Sequence, residues 1–397
     1  WLKPLSSTGD PFGYHLLVFE QDAMLECLQG FTADTGAFLP TSSNHEVAKQ
    51  NVRYAKGHEV DIPNTQTFSS VQLEEVLRHS SRQGDDYSTA PTPSFSFSVM
   101  DSATAAQFLY HRRQCRSIAV MNFANGSTPG GGYLHGSSAQ EEALCRQWPL
   151  YHTSLYNASR KRSGVRAYPF GAYQREVMEI AEGAHTPAHS SRSPGAELAR
   201  ETYNRVLVTP GVKLMRAGQK DHFRALQPHE GFPVTMVAAT APKAHWRPPG
   251  PCPRGLVDTV VNTILAPLLD WKAARRTELP PEGAAAARRV LILGAWGCGA
   301  FGNHPAEMVQ VFMAALSSVY FSDRYRMLLT WLAGDTDQDG RNRWPTEPVF
   351  YHEIHFAVPA FREADMPNVV CFRDGLEKFI ARLRLEELKV YDAEGQI

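Results

Sequence analysis

The chain has 397 residues, 43% of them hydrophobic and 20% charged, with a formal net charge of −1. That balance excludes a strongly basic nucleic-acid or membrane-surface binder, and the apolar content suits a globular protein with a sizeable core. No apolar run approaches the roughly 18–20 residues that a bilayer span requires.

Six cysteines (Cys27, Cys115, Cys145, Cys252, Cys298, Cys371) show no paired C-x-x-C spacing. A thiolate zinc site and a disulfide scaffold are therefore not expected, and reduced thiols point to the cytoplasm or nucleus. The chain opens on Trp1 rather than Met, as expected for a fragment or processed piece, and its first twenty residues lack a charged-then-apolar leader.

In chain order, a helical segment near Asp22–Leu28 precedes turn-rich stretches and a helix at Ser70–Ser80. Gln83–Ser94, rich in Ser, Thr, Pro and Asp, reads as a linker or exposed loop. Residues 1–94 are therefore expected to form an accessory region packed on a core of 95–397. Phe95–Val99 alternates apolar residues with Ser, the period of a strand. Asp101-Ser102 then offers an N-cap for a helix over Ala103–Arg113.

Ile118–Met121 reads as a buried strand ending in Asn122, followed by the turn Asn125-Gly126-Ser127-Thr128-Pro129 and the triplet Gly130-Gly131-Gly132. A seven-residue spacer leads to Gln140-Glu141-Glu142 at a helix start. Further strands are expected at Arg205–Val208, Phe232–Ala239, Val290–Leu293 and His352–Val358, with helices at Leu256–Arg275, Pro305–Ser318 and Asp374–Leu388. Gly183–Gly195 reads as a loop and Arg247–Pro253 as a second linker. Strands alternating with helices predict an α/β sandwich with the sheet between helical layers.

Two glycine loops carry the chemical signal. In the first, GGG-x7-QEE, the backbone can cradle a phosphate-bearing ligand while Glu141 or Glu142 supplies an acid. The ordinary alternative is a surface turn and a helix start where Glu meets the positive dipole end. In the second, Gly297-x-Gly299-x-x-Gly302 between strand and helix matches the dinucleotide fingerprint in form. A Rossmann unit, however, expects an acid about 20 residues on after a second strand, and Asp323 follows a helix. Together the loops suggest one cleft that binds a diphosphate-containing nucleotide from two sides.

Asn122-Phe123-Ala124-Asn125, PGGG, AQEEALCR, VTMVAATAP and LGAWGCGAFGN, with the HFAVP strand and the later Asn368, resemble the microbial-type poly(ADP-ribose) glycohydrolases over about Phe95–Phe379. The resemblance implies a macrodomain-like three-layer α/β/α sandwich, with a mixed central sheet and a mostly helical N-terminal extension. It implies that ADP-ribose lies across the C-terminal ends of the central strands. Gly130, Gly131 and Gly132 would line the diphosphate and distal ribose, and Gly297, Cys298, Gly299, Ala300 and Gly302 would form the second diphosphate loop. Phe301 would press on the terminal ribose, Asn125 or Asn122 would bond it, and Tyr133 and Gln140 would join the substrate-binding set. Glu141 would bind ribose hydroxyls, and Glu142 would be the catalytic acid. Where the family pattern leads to an acid after the second loop, this chain has His304.

The implied reaction is hydrolysis of the ribose–ribose O-glycosidic bond, acting from chain ends. Glu142 would protonate the leaving oxygen and then activate water. The alternatives are a hydrolase that removes single ADP-ribose units from proteins and a binding module without chemistry; an intact QEE argues against the latter. The expected partner is ADP-ribose polymer or an ADP-ribosylated protein, with no nucleic acid, membrane or cofactor, and a monomer is expected. No metal is expected either. His352-x-x-His355 on a strand points its rings to opposite faces, and His185-x-x-x-His189 lies in a loop. Asp335-x-Asp337-x-Asp339-Gly340 opens like a calcium loop but has Thr346 at the twelfth position. His135 in the first loop reads as solvent-facing. Trp296 is expected beneath the second loop, and Phe356 or Phe372 either against adenine or in the core.

Overall fold

The computed structural model describes residues 3–4, 17–19, 44–57, 65–80, 91–160, 167–184, 194–218, 221–246, 254–275, 288–333 and 349–393. The expected helix at 22–28, the linker residues 83–90, the histidines at 185 and 189, the second linker at 247–253 and the acidic excursion at 334–344 lie outside them.

Among the described residues the strands are β1 (Lys3–Pro4), β2 (Leu17–Phe19), β3 (Gln66–Phe68), β4 (Ser94–Ser98), β5 (Ser117–Phe123), β6 (Val206–Lys213), β7 (Pro233–Ala239), β8 (Arg289–Leu293) and β9 (Glu353–Ala357). The helices are α1 (Asn44–Gly57), α2 (Ser70–Ser80), α3 (Ser102–His111), α4 (Gln140–Gln147), α5 (Tyr156–Arg160), α6 (Arg175–Ala184), α7 (Pro194–Tyr203), α8 (Arg254–Arg275), α9 (Pro305–Phe321), α10 (Asp323–Ala333) and α11 (Met366–Ala393). The strands form one mixed sheet in the order β1-β2-β4-β9-β8-β5-β7-β6-β3. β4, β9, β8, β5 and β7 run parallel, and β6 and β3 close one side antiparallel.

Alternation along the central strands builds two cores. Ala119 and Met121 of β5 and Leu291 and Leu293 of β8 face a layer that includes α2, α6, α8, α9, α10 and α11. Ile118 and Val120 of β5 and Val290 and Ile292 of β8 face the layer of α3 and α4. Burial on both faces explains why β5 and β8 read as continuous apolar runs. The three-layer α/β/α sandwich with a mixed sheet is therefore present, with a helical contribution from the N-terminal part.

The segment before residue 94 does not stand apart from this core. β3 pairs with β6 at one sheet edge, β2 pairs with β4 towards the other, and Leu73 of α2 lies in the main apolar core. The helices α1, α6, α7 and α10 and the strand β3 were not expected from the sequence. β6 runs past its expected end because Pro210-Gly211 forms a register shift between Thr209 and Val212, not a turn. α11 starts eight residues earlier than expected, and Pro367 sits in its first turn, where its missing N–H is harmless.

The expected cap of α3 is in place. Asp101 Oδ1 accepts the N–H groups of Ala103 and Thr104 at 2.9 and 3.0 Å, and Oδ2 accepts the Thr104 hydroxyl at 2.7 Å. Asp101→Ala is expected to lower unfolding stability by about 1 kcal/mol, measured by denaturant titration.

Candidate active site

The C-terminal ends of β4, β5, β7, β8 and β9 open onto one cleft of about 1620 Å³. Its walls include Phe123 and Asn125 after β5, Gln140, Glu141 and Glu142 at the start of α4, and Gly297, Gly299, Ala300 and Phe301 after β8. Pro359, Phe361 and Asn368 border it beyond β9.

The acidic pair is buried at the first turn of α4, with Glu141 3% and Glu142 7% exposed. Gln140 anchors that turn to the sheet. Its Nε2 donates to the Met121 carbonyl at 2.8 Å and to Ser102 Oγ at 3.1 Å, and its Oε1 accepts the Phe123 N–H at 2.8 Å. One side chain thus closes the donor left at the end of β5 and fixes the helix start against α3. A Gln fits because its amide both donates and accepts.

The two carboxylates differ in their partners. Glu141 Oε2 accepts the Asn125 N–H at 2.8 Å, and Oε1 accepts Asn122 Nδ2 at 3.5 Å. Glu142 Oε1 accepts the Gly132 N–H at 2.8 Å, whereas its Oε2 has no hydrogen-bond partner. Burial pushes the Glu141 carboxyl up to about 8; the Asn125 N–H opposes this and the neighbouring Glu142 adds to it.

This shift has a consequence for stability. Between the ordinary carboxyl value of 4.5 and about 8, folded Glu141 keeps a proton that the unfolded chain has released. The stability this confers is complete below that window and is lost as pH rises through it. Thermal midpoints of the wild type are expected to fall from pH 5 to 8.5, and this part of the slope to vanish in Glu141→Gln.

The first glycine loop supports the pair from beneath. Gly131 has φ +55°, and a Cβ there would lie 2.5 Å from Glu142 Oε1 and 3.1 Å from Glu141 Oε2. In the second loop, Trp296 is fully buried and donates to the Ala239 carbonyl at 3.0 Å. Asn303 Nδ2 donates to the carbonyls of Pro242 at 2.8 Å and Gly297 at 3.0 Å. Gly297 has φ +74°, and a Cβ would meet Ala241 Cβ at 2.6 Å. His304 is the N-cap of α9 and makes no side-chain cap bond, so an acid's capping role is not reproduced here.

Of the residues expected to touch substrate, Asn125, Gln140, Glu141, Glu142, Gly297, Gly299, Ala300 and Phe301 lie in the cleft wall. The others lie elsewhere. Asn122 is fully buried under Glu141, and Tyr133 is fully buried with its ring 5.5 Å from that of Tyr151. Gly130 packs against Tyr151 and Gly132 against Ser137, beneath the acids. Cys298 and Gly302 are likewise absent from the wall. Asn122, Gly130 and Tyr133 are buried behind their loop, whereas Cys298 is half-buried and Gly302 is exposed outside the wall. Of the two asparagines, Asn125 faces the cleft, and its Oδ1 is held by the N–H groups of Ser127 and Thr128, both at 3.0 Å. Phe356 and Phe372 are core residues, each meeting Phe312 edge to face. The exposed cleft aromatic is Phe361, which sequence reasoning missed; its position just past the HFAVP strand was the available signal.

Acids outnumber cations in the wall. Among the described residues, Asp101, Glu141, Glu142, Asp221, Glu230 and Asp365 face a single Arg362, which itself pairs with Asp365 at 3.1 Å. Side-chain cations therefore do not define this site. Backbone N–H groups and the N-terminal ends of α3, α4 and α9 supply its positive character.

Paired buried carboxyls at the strand ends of an α/β/α sandwich, beside a large cleft, are groups that can serve general acid–base chemistry. Residues 42–178 match the family described as microbial-type PARG, catalytic domain. The chain resembles the microbial-type poly(ADP-ribose) glycohydrolases, a family of glycosidases, and the matched stretch holds GGG-x7-QEE and begins just ahead of α1.

Among solved structures, the chain is similar to poly(ADP-ribose) glycohydrolase from Thermomonospora curvata, at 22% identity over 89% of this chain and 97% of that one, with a TM-score of 0.48. It is also similar to the Deinococcus radiodurans glycohydrolase in complex with ADP-ribose, at 21% identity over 86% and 99% of the respective chains, with a TM-score of 0.44. No curated protein matches the chain. Among the described residues, no helix is long and apolar enough to cross a membrane.

Proposed function

We propose that this protein is a poly(ADP-ribose) glycohydrolase, cleaving ribose–ribose O-glycosidic bonds from chain ends to release ADP-ribose. The observation that carries the reading is the division of labour in the acidic pair. Both oxygens of Glu141 are engaged by Asn122 and Asn125, whereas Glu142 keeps Oε2 without a partner. A carboxyl with one oxygen anchored and the other uncommitted can hold its geometry and still exchange a proton.

In the reaction, the bond between the anomeric carbon of the distal ribose and the leaving 2′-oxygen breaks, and that carbon gains oxocarbenium character. Glu142 gives its proton to the leaving oxygen as the bond opens. The resulting carboxylate then takes a proton from water, whose oxygen bonds to the anomeric carbon and completes hydrolysis. Glu141 binds ribose hydroxyls. Asn125 and Phe301 hold the sugar, and the backbone of Gly297–Gly299 faces the diphosphate. An acidic wall suits this division, because the diphosphate is met by backbone dipoles rather than by cations that would also attract unrelated anions. Phe361 offers a face for the adenine ring.

A polymer is favoured over a single protein-linked unit by size. The cleft's 1620 Å³ exceeds the roughly 300–1,000 Å³ of ordinary small-ligand pockets, which leaves room for part of a neighbouring unit. Thiols at Cys115, Cys145 and Cys371 suit a reducing compartment, cytoplasmic or nuclear.

The test uses purified protein with automodified poly(ADP-ribosyl)ated protein and, separately, mono(ADP-ribosyl)ated protein, with released products identified by mass. Free ADP-ribose from the polymer is the expected result. Processing of the mono-modified protein alone would replace the substrate while keeping the site. Binding of ADP-ribose with no release from either substrate would reduce the protein to a binding module.

A further inference from the structure

α4 carries the acidic pair at its first turn, yet it is only eight residues long. Two turns of isolated helix are unstable in water, and the last carbonyls of any helix lack partners within it. Here those carbonyls are taken by two segments far away in sequence. Asn51 of α1 donates from Nδ2 to the Arg146 carbonyl at 3.0 Å. The N–H groups of Met215 and Arg216 both donate to the Gln147 carbonyl, at 2.9 and 3.0 Å.

The two segments are themselves joined. Arg216 donates from Nε to Asn51 Oδ1 at 2.7 Å, and from Nη1 to the Phe223 carbonyl at 3.0 Å. The bonds close a ring that runs from the Arg146 carbonyl through Asn51 and Arg216 to the Gln147 carbonyl. Asn51 is 7% exposed and uses both ends of its amide, so neither Leu nor Asp reproduces it. A third link ties the ring to the glycine loop: Arg146, 1% exposed, donates from Nη1 to the Ser137 carbonyl in the spacer before QEE at 2.8 Å. α1 also reaches the middle of that spacer, where Asn44 Nδ2 donates to the Gly136 carbonyl at 3.2 Å.

We propose that Asn51 is a positioning residue for the reaction: with Arg216 it clamps the C-terminus of α4 and so sets where Glu142 stands at the other end. The inference rests on the glycohydrolase reading above. From Glu142 to Arg146 is about 6 Å along the helix axis at 1.5 Å per residue, a distance a two-turn helix transmits as a rigid lever. Apart from Glu141 on the same turn, the proposed ligand contacts lie on the strand-end loops, outside the ring. Loosening the ring therefore displaces the proton donor while leaving most of the binding surface in place.

The test compares wild type, Asn51→Ala and Asn51→Asp. The Asp variant keeps an acceptor for Arg216 and loses the donor to Arg146. Turnover of purified polymer is expected to fall about tenfold in both, in keeping with the strong dependence of rate on small misplacement. The dissociation constant for ADP-ribose, measured by calorimetry, is expected to stay within about threefold. Amide hydrogen exchange is expected to quicken across Leu144–Trp148 and to be unchanged in α9. Adding Asn51→Ala to Arg216→Ala is expected to cost little further turnover, since either change opens the same ring.

Unchanged turnover with unchanged exchange in α4 overturns the proposal. So does a parallel loss of turnover, binding and α9 protection, which marks a general stability role. A wild type that binds ADP-ribose but releases none from polymer overturns the glycohydrolase reading instead, and the exchange of α4 still reports whether the clamp exists.

Discussion

Glu142→Gln is expected to lower polymer cleavage by about three orders of magnitude, within the range of a lost general acid or base. ADP-ribose binding is expected to persist. The substitution is nearly isosteric, and its carbonyl oxygen can still accept the Gly132 N–H that Glu142 Oε1 accepts at 2.8 Å. What disappears is the proton that Oε2 would deliver. The amide nitrogen would occupy the place of an oxygen that has no protein partner, so no bond is lost there. Single-turnover cleavage and calorimetry on the same preparation check both halves. A variant that cleaves within tenfold of wild type would move the acid elsewhere, and Glu141, whose carboxyl burial pushes up to about 8, would be the next residue to test.

Gly131→Ala is expected to have the next largest effect, on activity more than on stability. At φ +55° an L side chain costs about 1–2 kcal/mol. The added methyl would also stand 2.5 Å from Glu142 Oε1, so either the carboxyl turns away or the loop lifts. Both outcomes misplace the acid, and a shift of about 1 Å is enough to lose about two orders of magnitude in turnover. Gly183→Ala is the matched control. Its Cβ would meet nothing within 4 Å, and it lies in α6, so the change is expected to be neutral or stabilising by up to about 1 kcal/mol. Steady-state rates and thermal midpoints of the two variants separate crowding of the acid from a general intolerance of substitution at glycine. If Gly131→Ala retained full turnover, the glycine triplet would be a turn and not a support for the pair.

These two positions show how the site is built in layers. Gly131 lies under the acids, Gln140 ties their helix to β5, and Asn122 and Asn125 hold Glu141 so that Glu142 alone keeps an uncommitted oxygen. The proposed diphosphate side is built separately, by the backbone after β8, where Asn303 closes the loop onto Pro242 and Gly297. In the proposed reading one half places a proton and the other binds charge. Their separation explains why a change at Asn51 can be expected to move rate without moving affinity.

Much of this was legible in the residues themselves. The apolar runs of β5 and β8, the Asp101 cap, the Pro305 start of α9 and the QEE at the mouth of α4 are local signals, decided by side-chain periodicity and turn chemistry within a few positions. The same local signals led from the glycine loops to the family resemblance. What they did not contain was depth. Asn122 and Asn125 are three residues apart and chemically identical, and only the packing of α4 on β5 buries the first and exposes the second to the cleft. Tyr133 is in the substrate-binding set that the resemblance implies, whereas the structure buries its ring beside that of Tyr151.

Among the helices missed from sequence, α1 shows one cause. α1 has weak apolar content, and its fixed position comes from bonds to Gly136, Arg146 and Arg216, the last two 95 and 165 residues away from Asn51. A segment whose stability lies in tertiary partners leaves little trace in its own pattern. The central strands, the two loops and the acid pair were thus determined by the sequence alone. Which oxygen is uncommitted, which glycine supports and which lines, and what clamps α4 were decided only by the tertiary structure, because each depends on groups that meet across the fold and not along the chain.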